Sequence, residues 1–328
     1  ALVMKARSKS PDLLDRSIVP NIISIQESEG LKNSFFYTGL DAPTRKVVDK
    51  LIKVYSDAKN CGSILTPEIE NLSLVKDALD ESRQKSNLGE HDDGLTRLET
   101  LVKQTELLTK KYDVVITNPP YMGGRGMNGS LSQHLKNHYP DTKGDLFAVF
   151  MERMQHMTKV YGYHVTVTMQ SWMFLSSYEK FREQILGSYS IIGLTHMANM
   201  VMGIAFGTAA TILKKGVLGL KGTYQYVELD DLESDRPKQF PVVNNRYSIA
   251  NSTNFSSIPG SPVAYWASET IQEVFQHATP LGEIGQPRQG LATSDNNRFL
   301  RLWHEVDLNK VGFGIEDSEE AQVSGNKW

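Results

Sequence analysis

The sequence predicts an α/β fold built on a parallel-rich sheet that closes at its C-terminal side with an antiparallel hairpin. Three observations predict it. Strand-length apolar runs alternate with helix-period segments from Gly94 to His196. The run Tyr112–Thr117 (YDVVIT) has the length and composition of a strand buried on both faces, as in a parallel sheet. Two late β-rich stretches, Thr208–Lys214 and Thr223–Leu229, flank a glycine-containing turn.

Taken in order, Asn21–Gln26 (NIISIQ) is a short β-branched run and reads as a strand. Pro43–Ala58 has apolar residues at helical spacing, with proline in the first turn. Residues 66–92 are polar and charged and read as an exposed helical insertion. Gly94–Lys110 is a helix with Leu95, Leu98, Leu101, Val102 and Leu107 inward, and Tyr112–Thr117 is the strand that follows. Gly123–Gly129 (GGRGMNG) reads as a mobile loop. Asp145–Val160 is a helix and His164–Met169 a strand. Ser176-Ser-Tyr-Glu179 reads as a capping box opening a helix that ends at Gly187, before a strand at Ser190–His196. From Asp230 to Pro280 the chain is rich in loop residues, with one helix at Ser268–His277. A domain boundary is expected near Pro280, dividing residues 1–280 from 281–328. There are no internal repeats.

Composition narrows the class. The 328 residues are 40% hydrophobic and 22% charged, ordinary for a globular protein that buries its own core. A single cysteine, Cys61, cannot form an internal disulfide and suits a reducing cytoplasm. No Cys-x-x-Cys accompanies the histidines, so no metal site is expected, and no apolar run is long enough to span a membrane. The net charge of −3 argues against a strongly basic nucleic-acid grip by the chain as a whole. Ala1–Arg7 reads as the end of an amphipathic helix and Gly325–Trp328 carries no stop signal, so the sequence is expected to be a fragment.

The chemistry is concentrated at Asn118-Pro119-Pro120-Tyr121, directly after the predicted strand at Tyr112–Thr117. In open α/β sheets, ligands bind beyond the carboxyl ends of strands. The four residues fit methyl transfer to an exocyclic amino nitrogen, whose lone pair is delocalised into its ring. Two acceptors that take its two protons draw that nitrogen toward tetrahedral geometry. The Asn118 side-chain carbonyl is one acceptor and the Pro119 backbone carbonyl the second. Consecutive prolines fix φ and bring no N–H to compete. Tyr121 offers a flat face on which a base taken out of the duplex can stack.

The flanks carry a resemblance. Asp-Val-Val-Ile-Thr-Asn-Pro-Pro-Tyr-Met-Gly-Gly from Asp113, Gly144-Asp-Leu-Phe-Ala-Val-Phe, and Gln170-Ser-Trp-Met-Phe-Leu-Ser-Ser-Tyr-Glu-Lys-Phe-Arg resemble successive motifs of gamma-class adenine methyltransferases. Their order and spacing are similar to the large methyltransferases of bacteriophage-exclusion (BREX) defence systems, the PglX type. The type IIG restriction–methylation enzymes are related to these. The resemblance covers nearly the whole chain. It implies a Rossmann-like, S-adenosylmethionine-dependent fold acting on N6 of a flipped adenine in double-stranded DNA. Other defence-system subunits are implied as partners.

By the same resemblance, Asp145 and Phe147 lie near the cofactor, and Phe206 closes on the base opposite Tyr121. Gln289–Trp303 resembles the entry to a target-recognition domain. The family's Asp-Pro-x-Cys-Gly-Ser-Gly cofactor loop and following acid do not occur between Ala1 and Lys111, so the sheet is expected to be incomplete at its N-terminal side.

Plainer readings stand beside these. Asp145 also reads as a helix-start acid, and Phe147 and Phe206 as core aromatics. Met151, Met154 and Met157 read as core packing, and His196 as structural. Gly124–Gly129 spells G-x-G-x-x-G but lacks the strand-to-helix context of a dinucleotide loop. Two rival functions remain: a non-catalytic nucleic-acid or partner-binding module, and methylation of RNA or of a protein glutamine.

Overall fold

The computed structural model describes residues 20–85, 93–234, 236–285, 295–316 and 318–325. The readings made at Ala1–Arg7, at 86–92, at 289–294 and at 326–328 lie outside these residues. The chain divides into two compact units, one through Gln276 and one from His277. The second consists of short helical turns, such as Leu281–Ile284 and Asn296–Phe299, with Trp303 and Phe313 exposed.

Among the described residues, three helices longer than ten residues open the first unit, beside short ones at Phe35–Gly39 and Ala58–Cys61. Helix α1 (Ala42–Val54) starts where the Asp41 carboxylate accepts from Thr44 N–H at 3.0 Å. Helices α2 (Leu72–Lys85) and α3 (Asp93–Thr109) follow. Their apolar stripes close one core through Val48, Leu51, Val75, Leu98 and Leu101, all fully buried. The expected strand at Asn21–Gln26 does not form. The backbone N–H and carbonyl of Gln26 pair instead with the Gln104 side chain on α3, at 2.9 and 3.0 Å, so a carboxamide stands where a neighbouring strand would be.

Strand β1 (Tyr112–Thr117) leads through helices α4 (Gly129–His138) and α5 (Leu146–Met157) to β2 (Thr158–Met169). Helix α6 (Glu179–Ser188) leads to β3 (Tyr189–Met197), followed by β4 (Thr208–Lys215), β5 (Lys221–Val227) and β6 (Ser248–Asn251). The sheet order is β1-β2-β4-β3-β5-β6. Strands β1 and β2 pair in parallel, as do β3 and β5, while β4 runs antiparallel between β2 and β3. This is the predicted α/β class, with four strands sharing one direction.

The expected hairpin of β4 with β5 is not made, because β3 lies between them. Next-nearest strands are about 10 Å apart, a gap that residues 216–220 bridge across the start of β3. Ser190 clamps that link: its hydroxyl donates to the Val217 carbonyl at 2.8 Å and accepts from Leu220 N–H at 3.2 Å. Gly222 lies so close to β3 that a Cβ would overlap the Ile191 carbonyl.

Three further expectations change. Strand β1 is an edge strand, and Val114 and Ile116 are 49% and 71% exposed rather than buried on both faces. No described element covers that face, which continues through Tyr163 and Ile212. The Ser176 capping box is absent: Ser176–Tyr178 form a 3-10 turn, which makes Glu179 the first residue of α6 instead of its third. Within the expected mobile loop, Gly124–Gly126 form a 3-10 turn and Asn128 caps α4 through Leu131 N–H at 2.9 Å.

A second core lies between the sheet and helices α5 and α6, and includes Phe147, Met151, Trp172, Phe181 and Tyr224. Each such large side chain contributes on the order of 2–3 kcal/mol by burial. Arg182 on α6 is 1% exposed and donates to the carbonyls of Trp172, Leu175, Gly260 and Ser261. Each of its three nitrogens is thereby hydrogen-bonded, and the segment at Gly260–Ser261 is fastened beside the loop that follows β2.

Candidate active site

The ends of four elements meet at one edge of the sheet. Register pairs Thr117 with Thr166, Met169 with Thr208, and Thr208 with Met197. The carboxyl ends of β1, β2 and β3 and the amino end of β4 therefore converge. Asn118-Pro119-Pro120-Tyr121 leaves β1 at this point, with Asn118 and Pro120 exposed and Pro119 buried.

Tyr121 anchors the ledge. Its hydroxyl donates to the Val167 carbonyl at 3.1 Å and reaches the Asn118 side-chain oxygen at 3.5 Å. Burial raises its pKa, so the phenol stays neutral. Its ring meets Phe147 at 6.3 Å between centroids and Phe206 at 5.7 Å, edge-on in both cases. Phe206 is half-buried.

Asp145 fastens the next residues. One carboxylate oxygen accepts from Met122 N–H at 3.0 Å and from Phe147 N–H at 3.2 Å, so the same atom holds the loop and caps α5. Backbone bonds from Leu146 to Met122 and from Gly124 to Gly144 complete the splice. Burial raises the carboxyl pKa and the amide donors oppose it. Phe147 is 1% exposed and supports Tyr121 from within the core, with no free face for a ligand. Met151 and Met154 are buried as core, as their spacing predicts.

The structure adds residues to which the sequence reading gave no role. Gln170 follows β2 and accepts from His196 through its side-chain oxygen, while the other ring nitrogen of His196 meets the Tyr265 hydroxyl at 3.1 Å. His196 is 6% exposed, and burial lowers its pKa to about 4. Gln170 stood in a quoted motif, but nothing in its sequence neighbourhood tied it to a histidine 26 residues away. Tyr265 lies in loop-rich sequence and gave no signal. Among the described residues no group of three histidine, cysteine or acidic side chains could hold a metal, and no helix is long and apolar enough to cross a membrane.

An Asn-Pro-Pro-Tyr ledge at the end of a parallel strand, with Phe206 packed edge-on against its tyrosine, is the chain's candidate site. Residues 33–201 match the Eco57I restriction-modification methylase family. The chain belongs to that family. It is 33% identical over 95% of its length to the adenine-specific methyltransferase PglX of Lacticaseibacillus casei, covering 27% of that protein. It is 31% identical over 94% of its length to the adenine-specific methyltransferase BrxX of Escherichia coli, covering 28%. The chain thus spans about a quarter of the length of these curated relatives.

Proposed function

We propose that this chain forms the methyl-acceptor side of an adenine-specific DNA methyltransferase working in restriction-modification or BREX-type phage defence. The observation that carries the reading is the exposed Asn118 beside a Tyr121 that is packed edge-on against Phe206 at the end of a parallel strand. The base is double-stranded DNA's adenine, flipped onto Tyr121. Asn118 Oδ1 and the Pro119 carbonyl accept the two protons of its amino group, which directs the nitrogen lone pair outward at the donor. The Pro119 carbonyl keeps its place because its ring is buried and Pro120 offers no N–H.

S-adenosylmethionine is the methyl donor this chemistry asks for; when bound, it supplies an electrophilic methyl group. The described residues fit only one wall of its site. Among the described residues the regular elements before β1 are helices, with no strand ending in a glycine loop. The donor is therefore held largely by sequence other than that described, and Asp145 bears on it by fixing the loop from Met122 to Gly124. Other defence subunits are proposed as partners of the whole enzyme.

Both relatives carry the name adenine-specific methyltransferase, and two aromatic rings at one ledge favour a flat base over a protein glutamine. The test is nucleoside mass spectrometry of DNA treated with the full-length protein and S-adenosylmethionine. N6-methyladenine is the expected product. A methylated cytosine, or methyl groups found only on protein or RNA, contradicts the reading.

A further inference from the structure

The residues that fasten Gly207, next in sequence to Phe206, form a connected chain that the proposed chemistry does not use. Gln170 N–H donates to the Gly207 carbonyl at 3.0 Å, and its side-chain amide lies flat against Gly207. A Cβ at Gly207 would sit 2.5 Å from Gln170 Cδ and 2.7 Å from Nε2, so only glycine admits this approach. The residue before this contact is Phe206.

The Gln170 amide is set in turn from behind. Gln170 Oε1 can only accept, so His196 Nε2 carries the proton, and Nδ1 accepts from the Tyr265 hydroxyl at 3.1 Å. One arrangement satisfies all three groups, with the ring neutral. The depressed pKa of His196, which burial causes and Arg246 reinforces, keeps it so at working pH. Tyr226 packs edge-on to the ring at 4.8 Å, and Tyr265 stacks on Tyr224 at 5.3 Å with planes 11° apart. Tyr224 is fully buried and donates to Ile191 at 3.2 Å. The chain of contacts thus runs from the sheet interior to the backbone beside Phe206.

We propose that Gln170, oriented by His196, is a positioning residue that sets Phe206 against the base and so the angle at which the target amine meets Asn118 and Pro119. This rests on the methyl-acceptor reading above. A misplacement of about 1 Å at a reacting group can cost on the order of 10² in rate, and Gln170 acts through a residue that touches the base.

The test uses the full-length protein and an unmethylated duplex carrying its target site, with 2-aminopurine in place of the target adenine for the fluorescence arm. Gln170→Ala is expected to lower kcat about 10²-fold with KM for DNA within about twofold, and to lower the 2-aminopurine signal. Gln170→Glu keeps an acceptor for His196 Nε2–H and is expected to recover kcat to within about tenfold of wild type. Should Gln170→Ala fail to fold, Gly207→Ala carries the test, since it pushes the amide aside and is expected to give the same loss of kcat. Wild-type kcat per folded molecule in Gln170→Ala or Gly207→Ala, or equal loss in Gln170→Ala and Gln170→Glu, overturns the proposal. Asn118→Ala is measured alongside. If it is inactive while Gln170→Ala is unimpaired, the positioning role alone falls. If it methylates, the acceptor reading falls and the positioning role with it.

Discussion

Tyr121 and Phe206 meet edge-to-face, with centroids 5.7 Å apart and planes inclined at 62°. A flat base held between two rings needs roughly 7 Å, twice the ~3.5 Å contact distance. One ring must therefore turn or withdraw for a base to enter. Phe206 is placed to do so, on the half-buried link between β3 and β4, whereas Tyr121 is tied to Val167 and backed by Phe147.

Tyr121→Ala is accordingly expected to weaken binding of DNA whose target adenine is already flipped, as it is opposite an abasic site, more than binding of random duplex. The difference should be about 1–3 kcal/mol, the usual worth of one base stack. Phosphate contacts are common to both ligands and cancel. Equal weakening of the two, measured by fluorescence anisotropy, would place Tyr121 outside the base pocket.

Asp145→Ala removes a cap and a loop clasp at once. A lost N-cap typically costs about 1 kcal/mol, and Met122 and Phe147 N–H lose their shared acceptor. Amide exchange at these two positions should accelerate, with Asp145→Asn intermediate because it keeps the carbonyl. Unchanged exchange in Asp145→Ala would show that the loop is held without the carboxylate.

Stability should fall in mild acid. His164 is fully buried, neither ring nitrogen has a hydrogen-bond partner in the fold, and burial lowers its pKa to about 3; that of His196 is lowered to about 4. Both take up a proton near pH 6.5 when unfolded. The unfolded chain therefore binds more protons below that pH, and stability drops as pH falls from about 6.5 toward 4, by up to about 1.4 kcal/mol per pH unit for each ring. His164→Leu should remove about one proton from this slope. Urea titrations from pH 8 to pH 5 measure it, and an unchanged slope in His164→Leu contradicts the assignment.

The chain by itself should bind S-adenosylmethionine poorly. Ala1–Lys111 contains no Asp-Pro-x-Cys-Gly-Ser-Gly loop, and β1, with Val114 and Ile116 exposed, is a strand edge open to further pairing. Isothermal titration of the 328-residue chain should show no binding in the micromolar range. A micromolar dissociation constant would mean that residues of this chain hold the donor.

What the sequence made legible was local. The runs that became β2, β3 and α5 were readable because their periods match their burial, and Asn118–Tyr121 because four demanding residues stand together. What it concealed was set by tertiary pairing. The Gln104 side chain took the place of a strand partner for Gln26, and β3 came between β4 and β5. The contacts of Gln170 with His196 and of His196 with Tyr265 join residues 26 and 69 apart, beyond any local pattern.

The central claim is that Asn118 supplies an acceptor for the target amine, and no other side chain of the ledge can replace it. Its most direct measurement is transfer of labelled methyl from S-adenosylmethionine to DNA by full-length protein carrying Asn118→Ala. Losing one placed acceptor in the transition state typically lowers the rate by about 10²–10³, so incorporation should fall at least that far while DNA binding and thermal stability hold. Methyl incorporation at the wild-type rate would contradict the account.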